Sequence, residues 1–450
     1  MLRRVLRKGI GDSTITPASR DKANDPGPSD DPGGVRSRGR DDLRRTILML
    51  IPGGLGLIAT VGLNIGFVGD LAKSDANRLL VFLQVELFAL GLGRLGYDQL
   101  VLSRAAALDD SDRLDFTPLL MRFVLPFACV CAAVGGAGLR GPAGIAILVA
   151  APCDVLSTVT GSFELSRRKY LTNIAFSWLN YPLFLLFLVL PGAHIDSSSL
   201  PNVLVLFCAT SVGRAAIAVV LLAGHRRRRR PLTPGVSVAL SGGAHRRRRL
   251  APGVSVALTR QDLFGSGTVS ISQIIVQRGD GAVLALFQSR FPAAGLASYL
   301  LASRMLDASY TVSAVVASLA QVRGVDRVVS GSRSSRLPAL LFGGAWFGIW
   351  MAAAITLAVL QWPHVFVGWG RLVLAVPAAA LYLAIFRHVL RDLAEGRGAA
   401  IAFRFLQYVV IAVCFATVAV VTREPAVMFL TATIAGLWSL QTLRQSHNDF

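Results

Sequence analysis

The sequence predicts an all-α integral membrane protein of about twelve transmembrane helices in two six-helix bundles. Three observations predict it: apolar runs of membrane length recur along the chain, basic residues crowd into alternate gaps, and one long polar interruption separates two sets of six runs. Composition agrees, with 53% hydrophobic residues, 16% charged residues and a mean hydropathy of +0.56.

Residues 1–45 are polar and carry Asp30-Asp31-Pro32-Gly33-Gly34, a composition that reads as a disordered leader. The first apolar run follows this leader and is long enough to span, so it reads as an anchor and not as a cleavable signal. A bilayer-crossing helix needs roughly 20 mostly apolar residues. Runs of that kind lie near 46–69, 79–101, 118–138, 143–166, 171–190 and 199–223, which makes 46–223 the first bundle. The second bundle, 262–443, has runs near 262–287, 291–321, 337–360, 364–386, 399–421 and 425–443, and a short tail, 444–450, follows. Backbone exposed to lipid has no water to bond, so these runs must be helical.

Between the bundles, 224–261 contains a duplication: HRRRRRPLTPGVSVAL at 225–240 returns as HRRRRLAPGVSVAL at 245–258. Two copies are too few for a solenoid. The segment reads as a basic linker, either tolerated or docking on anionic lipid, that divides the chain into parallel repeats.

Lys and Arg near helix ends favour the cytoplasmic side. Of the 39 basic residues in loops and tails, 34 fall on the side of the N-terminus; the exceptions are Lys73, Arg78, Arg140, Arg290 and Arg423. Both termini and the linker are therefore expected in the cytoplasm of a multi-pass plasma-membrane protein. In a soluble domain the net charge of +20 would suggest nucleic acid; here it faces an anionic leaflet, and no nucleic-acid partner is expected.

Enzymatic and cofactor chemistry finds no support in the motifs. The only lysines are Lys8, Lys22, Lys73 and Lys169, and none follows glycine, so there is no phosphate-binding Gly-Lys-Ser/Thr. The six histidines are scattered without His-Glu-x-x-His, and the five cysteines all fall within apolar runs without metal-ligand spacing. Large external loops bearing carboxylates, expected of a glycosyltransferase or polymerase, are missing from the pattern.

Transport through the bundle remains, and ionisable residues inside the spans are its candidates. A charge near the centre of a membrane helix costs roughly 2.5–3.5 kcal/mol on insertion scales, so it faces a wet cavity or an opposite charge. Glu86 and Arg94 are eight residues apart on the second run and share a broad face; Arg304 and Asp307 are three apart on the eighth and can pair. Asp154 and Arg214 complete the substrate-cavity candidates. Arg122, Arg278, Arg371 and Arg404 read more simply as interfacial snorkels or ion pairs. Arg94 and Arg304 occupy the second run of each half after Gly- or Ala-rich turns, a matched placement that points to a central site.

Two stretches carry a resemblance. LFALGLGRLGYDQLVLSR at 87–104 and QRGDGAVLALFQSRFPAAGLASYLLASRMLDA at 277–308, with Asp280, Gly295, Tyr299, Ala302 and Arg304, are similar to helices two, seven and eight of lipid-linked oligosaccharide and polysaccharide flippases. These belong to the multidrug/oligosaccharidyl-lipid/polysaccharide exporter superfamily. Gly295-Leu-Ala-Ser-Tyr299 is spaced more widely than that pattern's Gly-x-Tyr. The resemblance implies a MATE-like fold, two bundles forming a V around a cavity, and flipping of a polyprenyl-diphosphate-linked glycan, whose phosphates guanidinium forks would bind. The alternatives are a cation-coupled small-molecule exporter using Na+ or H+, and a non-transporting scaffold for glycan assembly. The twelve-helix major-facilitator plan fits less well, because the loop after the second run, SRAAALDDSDRLDF, lacks that group's Gly-x-x-x-Asp-Arg-like pattern.

Overall fold

The structure, a computed structural model, describes residues 73–106, 108, 114–139, 141–167, 199–228, 256–258, 260–292, 398–431 and 433–435, with single positions between 295 and 303. The leader, the spans expected at 46–69, 171–190, 337–360 and 364–386, the linker from 229 to 255 and the tail lie outside these residues.

Helix α1 spans Lys73–Arg94 and α2 spans Tyr97–Ala106. The sequence predicts one helix across 79–101, but Leu95 (φ 50°) and Gly96 (φ 65°) adopt left-handed conformations and re-aim the chain. Glycine takes that conformation at little cost, whereas leucine is strained in it. After α2 comes a two-residue strand, β1 (Leu114–Asp115), and then α3, Thr117–Leu139, with a π-helical turn at Leu120–Val124. Helix α4 spans Gly141–Ser166 and α5 spans Leu200–Arg228. Strand β2 (Val256–Ala257) pairs in parallel with β1, Leu114 opposite Val256 and Asp115 opposite Ala257, and α6 follows at Arg260–Phe287. Helix α7 spans Gly398–Thr422.

Helices α3, α4 and α5 are each long and apolar enough to cross a membrane. Their outward faces are apolar: Val130, Val134, Ile145, Val205 and Val220 are all more than half exposed. An aqueous surface would penalise that pattern, whereas lipid solvates it without cost.

Small residues set how closely the helices approach. The α3–α4 hairpin turns at Gly141 (φ 58°), and a Cβ on Gly144 would stand 2.5 Å from the Gly136 carbonyl oxygen. A Cβ on Gly281 of α6 would lie 2.6 Å from the Gln84 carbonyl oxygen of α1. Backbones packed this closely gain dispersion contacts, which drive helix association where lipid removes the hydrophobic term.

The interior holds two apolar clusters. One gathers Phe82, Val85, Ala89, Ala150, Ala151, Phe207 and Leu284; the other gathers Tyr97, Leu114, Phe116, Val155, Val159, Phe163, Ala218 and Leu258. Helices α4 and α5 each contribute residues to both. The polar layer described next lies where α4 passes from Ala151 in one cluster to Val155 in the other.

Candidate functional site

Four polar side chains from three helices meet between the clusters: Glu86 on α1, Asp154 on α4, and Ser211 and Arg214 on α5. All are buried, none more than 6% exposed. Ser211 and Arg214 are three apart, which puts both on the face of α5 turned toward α4. The Ser211 hydroxyl donates to Asp154 Oδ2 at 3.1 Å, and Arg214 Nη1 stands 3.3 Å from Asp154 Oδ1. The buried Glu86 carboxyl neighbours Asp154 in the same layer. The cluster thus carries two acids and one fixed cation.

The backbone accommodates this layer. Pro152 inside α4 removes one helical hydrogen bond two residues before Asp154. Neighbouring hydroxyls turn back on the helix, Ser157 donating to the Cys153 carbonyl and Thr160 to that of Leu156, each at 2.8 Å. They leave Asp154 to Ser211, Arg214 and Glu86. Arg214 Nε and Asp154 Oδ1 are buried without a hydrogen-bond partner among the described residues. Buried polar atoms of that kind are rare, and here Oδ1 is compensated by the charge of Arg214 rather than by a hydrogen bond.

Three of the six sequence-nominated cavity residues, Glu86, Asp154 and Arg214, therefore come together. Arg94 stands apart from Glu86: it ends α1, and its Nη1 bonds Asp98 Oδ2 at 3.1 Å across the Leu95–Gly96 break. Arg304 and Asp307 lie outside the described residues.

A second carboxyl constellation centres on Asp280 of α6. Asp280 Oδ2 accepts from Gln84 Nε2 at 2.7 Å, Tyr299 Oη at 2.6 Å and Ser303 Oγ at 3.3 Å, while Oδ1 accepts from the Gly281 amide at 2.9 Å. The sequence singled out Asp280 through the resemblance of 277–308, and Gln84 and Ser211 were passed over. Ser211-x-x-Arg214 spacing was a legible signal for a shared face; the 196-residue separation of Gln84 and Asp280 was not.

At the basic ends of α2 and α6, Arg104 Nη2 bonds Asp262 Oδ1 at 2.7 Å and the Arg260 guanidinium lies 4.2 Å from the centre of the Phe123 ring. The Tyr97 hydroxyl donates to the Phe116 carbonyl beside β1. Among the described residues no cluster of three or more His, Cys, Asp or Glu could hold a metal ion.

Packed apolar helices around a buried acid–arginine layer describe a polytopic membrane protein. Its fold is that of the MATE transporters, an all-α membrane architecture of twelve helices in two bundles. Over 96% of this chain and 99% of that one, it superposes on the MATE multidrug transporter DinF-BH at a TM-score of 0.53 and 10% identity. A MATE in complex with Br-NRF gives 0.52 at 15% identity over 90% of this chain and 96% of that one. A MATE in complex with MaD5 gives 0.50 at 14% identity over the same shares. No protein-family model matches the sequence. No curated protein matches it either.

Proposed function

We propose that this protein is a proton-coupled exporter of small molecules that works by alternating access in the plasma membrane, with Glu86 and Asp154 as the proton-carrying pair. The observation that carries the reading is the buried layer of Glu86, Asp154, Ser211 and Arg214. A fixed guanidinium 3.3 Å from Asp154 repels a metal cation there, whereas a proton binds covalently to one of the two neighbouring acids and neutralises it. The bundle surface is solvated by membrane lipids, and the charge asymmetry supports cytoplasmic termini.

The lipid-linked glycan reading requires guanidinium forks open to phosphate. Arg94 and Arg214 each hold a carboxylate, which favours the small-molecule exporter.

Reconstitution tests this. In proteoliposomes, an imposed pH gradient should drive movement of a lipophilic cationic dye, and Glu86→Gln and Asp154→Asn should each lower the rate at least about tenfold, as expected for loss of a proton-transfer group. Drive by a Na+ gradient alone overturns the coupling assignment. A protein inert toward the dye that moves a polyprenyl-diphosphate sugar between leaflets restores the glycan reading.

A further inference from the structure

The duplicated linker has a structural counterpart at β2. The strand belongs to the second repeat copy, whose Pro-Gly-Val-Ser-Val-Ala-Leu occupies 252–258, and the identical seven residues occupy 234–240 in the first. Val256 and Ala257 pair with Leu114 and Asp115, the Leu258 amide donates to the Asp115 carbonyl at 3.4 Å, and the Leu258 side chain is buried in the cluster that holds Leu114 and Phe116. Everything the second copy supplies at this edge, the first copy also encodes: Val238, Ala239 and Leu240 match Val256, Ala257 and Leu258.

The first copy also starts beside the site. His225 near the end of α5 is buried, 4.7 Å from the Phe163 ring centre and 6.3 Å from that of Phe116, the residue that follows β1. From Arg228 to Val238 there are nine intervening residues, which extended can span roughly 30 Å.

We infer that the β1 edge is a docking site with two occupants from the same chain, residues 238–240 competing with 256–258 in the same parallel register. The contact is short, two paired residues and one buried leucine, and a ladder of that size is marginal alone, so exchange does not require the helices to unfold. The occupants differ in what they tie down. With the second copy docked, only Thr259 separates the strand from α6; with the first docked, nineteen residues, 241–259, intervene. The second copy holds the basic end of α6 to β1, alongside Arg104–Asp262, and the first releases that tether.

Loop closure sets the balance. First-copy docking closes loops of nine and nineteen residues where second-copy docking closes loops of twenty-seven and one, which disfavours the first copy by roughly 15-fold. Cysteine crosslinking on the full chain, with its five native cysteines replaced by alanine, reads the populations. Asp115→Cys with Ala257→Cys should crosslink in most molecules. Asp115→Cys with Ala239→Cys should crosslink in roughly 5–10% of them on that loop-closure scale, several-fold above Asp115→Cys with Leu232→Cys, which lies outside the repeated strand. Adding Leu258→Pro, which deletes the amide bonded to Asp115, should raise the 115–239 yield about tenfold. A 115–239 yield no higher than the 115–232 control, or one unmoved by Leu258→Pro, overturns the proposal, as does a crosslinked dimer. Should the Asp115→Cys chains fail to fold, hydrogen exchange on the otherwise native chain decides it. Amides 238–240 gain protection in Leu258→Pro if the sites are shared, and the absence of any such gain also overturns the proposal.

Discussion

Removing one partner of the Asp154–Arg214 pair tests whether the polar layer is held by charge. The two side chains are 2% and 6% exposed with 3.3 Å between Oδ1 and Nη1. At an effective dielectric constant near 20 their Coulomb attraction is about 5 kcal/mol. Breaking a buried pair by deleting one member typically costs about 3–5 kcal/mol, because the survivor is left charged away from water. Arg214→Met keeps the volume and deletes the charge, so it strands Asp154 with Ser211 and Glu86. The expected loss is about 3 kcal/mol. Asp154→Asn with Arg214→Met removes both members of the pair, leaving Glu86 as the one acid of the layer, and should recover most of it, and the coupling in a double-mutant cycle should exceed about 2 kcal/mol. Equilibrium unfolding in a fixed detergent–lipid mixture measures all four corners of the cycle. Acidification should shrink the single-mutant defect, since protonating the stranded carboxylate removes its charge, and should change the double mutant less, because only Glu86 is left there to titrate. A coupling below about 0.5 kcal/mol, or a single-mutant defect insensitive to pH, would refute an electrostatic layer.

Gly281→Ala should destabilise by roughly 1–3 kcal/mol, the range for overpacking, because its Cβ would meet the Gln84 carbonyl at 2.6 Å; Gly213→Ala and Gly224→Ala, with open space around the added carbon, should be neutral or stabilise by about 0.5–1 kcal/mol. Thermal denaturation of the three variants side by side distinguishes packing from a general intolerance of change. Tyr299→Phe and Gln84→Leu each remove one donor to Asp280 and should each cost about 1–2 kcal/mol without altering membrane insertion, as measured by unfolding and by membrane fractionation. Deleting 241–258 recreates the junction Gly-Val-Ser-Val-Ala-Leu-Thr-Arg and should preserve folding and transport, measured by surface expression and dye movement; loss of insertion would show that both copies are needed. Alkaline phosphatase fused at residue 240 should be inactive and a green fluorescent fusion at residue 450 bright; the opposite readouts reject the cytoplasmic assignment.

Among the described residues, the membrane helices were closely legible in the amino-acid order. The runs expected at 143–166, 262–287 and 399–421 are observed as helices at Gly141–Ser166, Arg260–Phe287 and Gly398–Thr422, the first of them also long and apolar enough to cross a membrane, because length and hydropathy are local properties of the chain. The break at Leu95–Gly96 was hidden, since a Gly-rich apolar run looks helical until packing selects left-handed angles. Hydropathy also marked Glu86, Asp154 and Arg214 singly as costly in lipid, and Ser211 could have been added from its spacing to Arg214. Which acid faces which base emerged only from the packing of helices. Glu86 and Arg94 share a helix, yet Glu86 reaches Asp154 while Arg94 reaches Asp98, because helix rotation and the close approach of α1, α4 and α5 determine the partner. The same holds for Asp280, whose donors Gln84 and Tyr299 lie 196 and 19 residues away in the chain. Composition sets the cost of burying a charge; only the packed backbone sets the distance to its counter-charge, and Coulomb and hydrogen-bond energies depend on that distance.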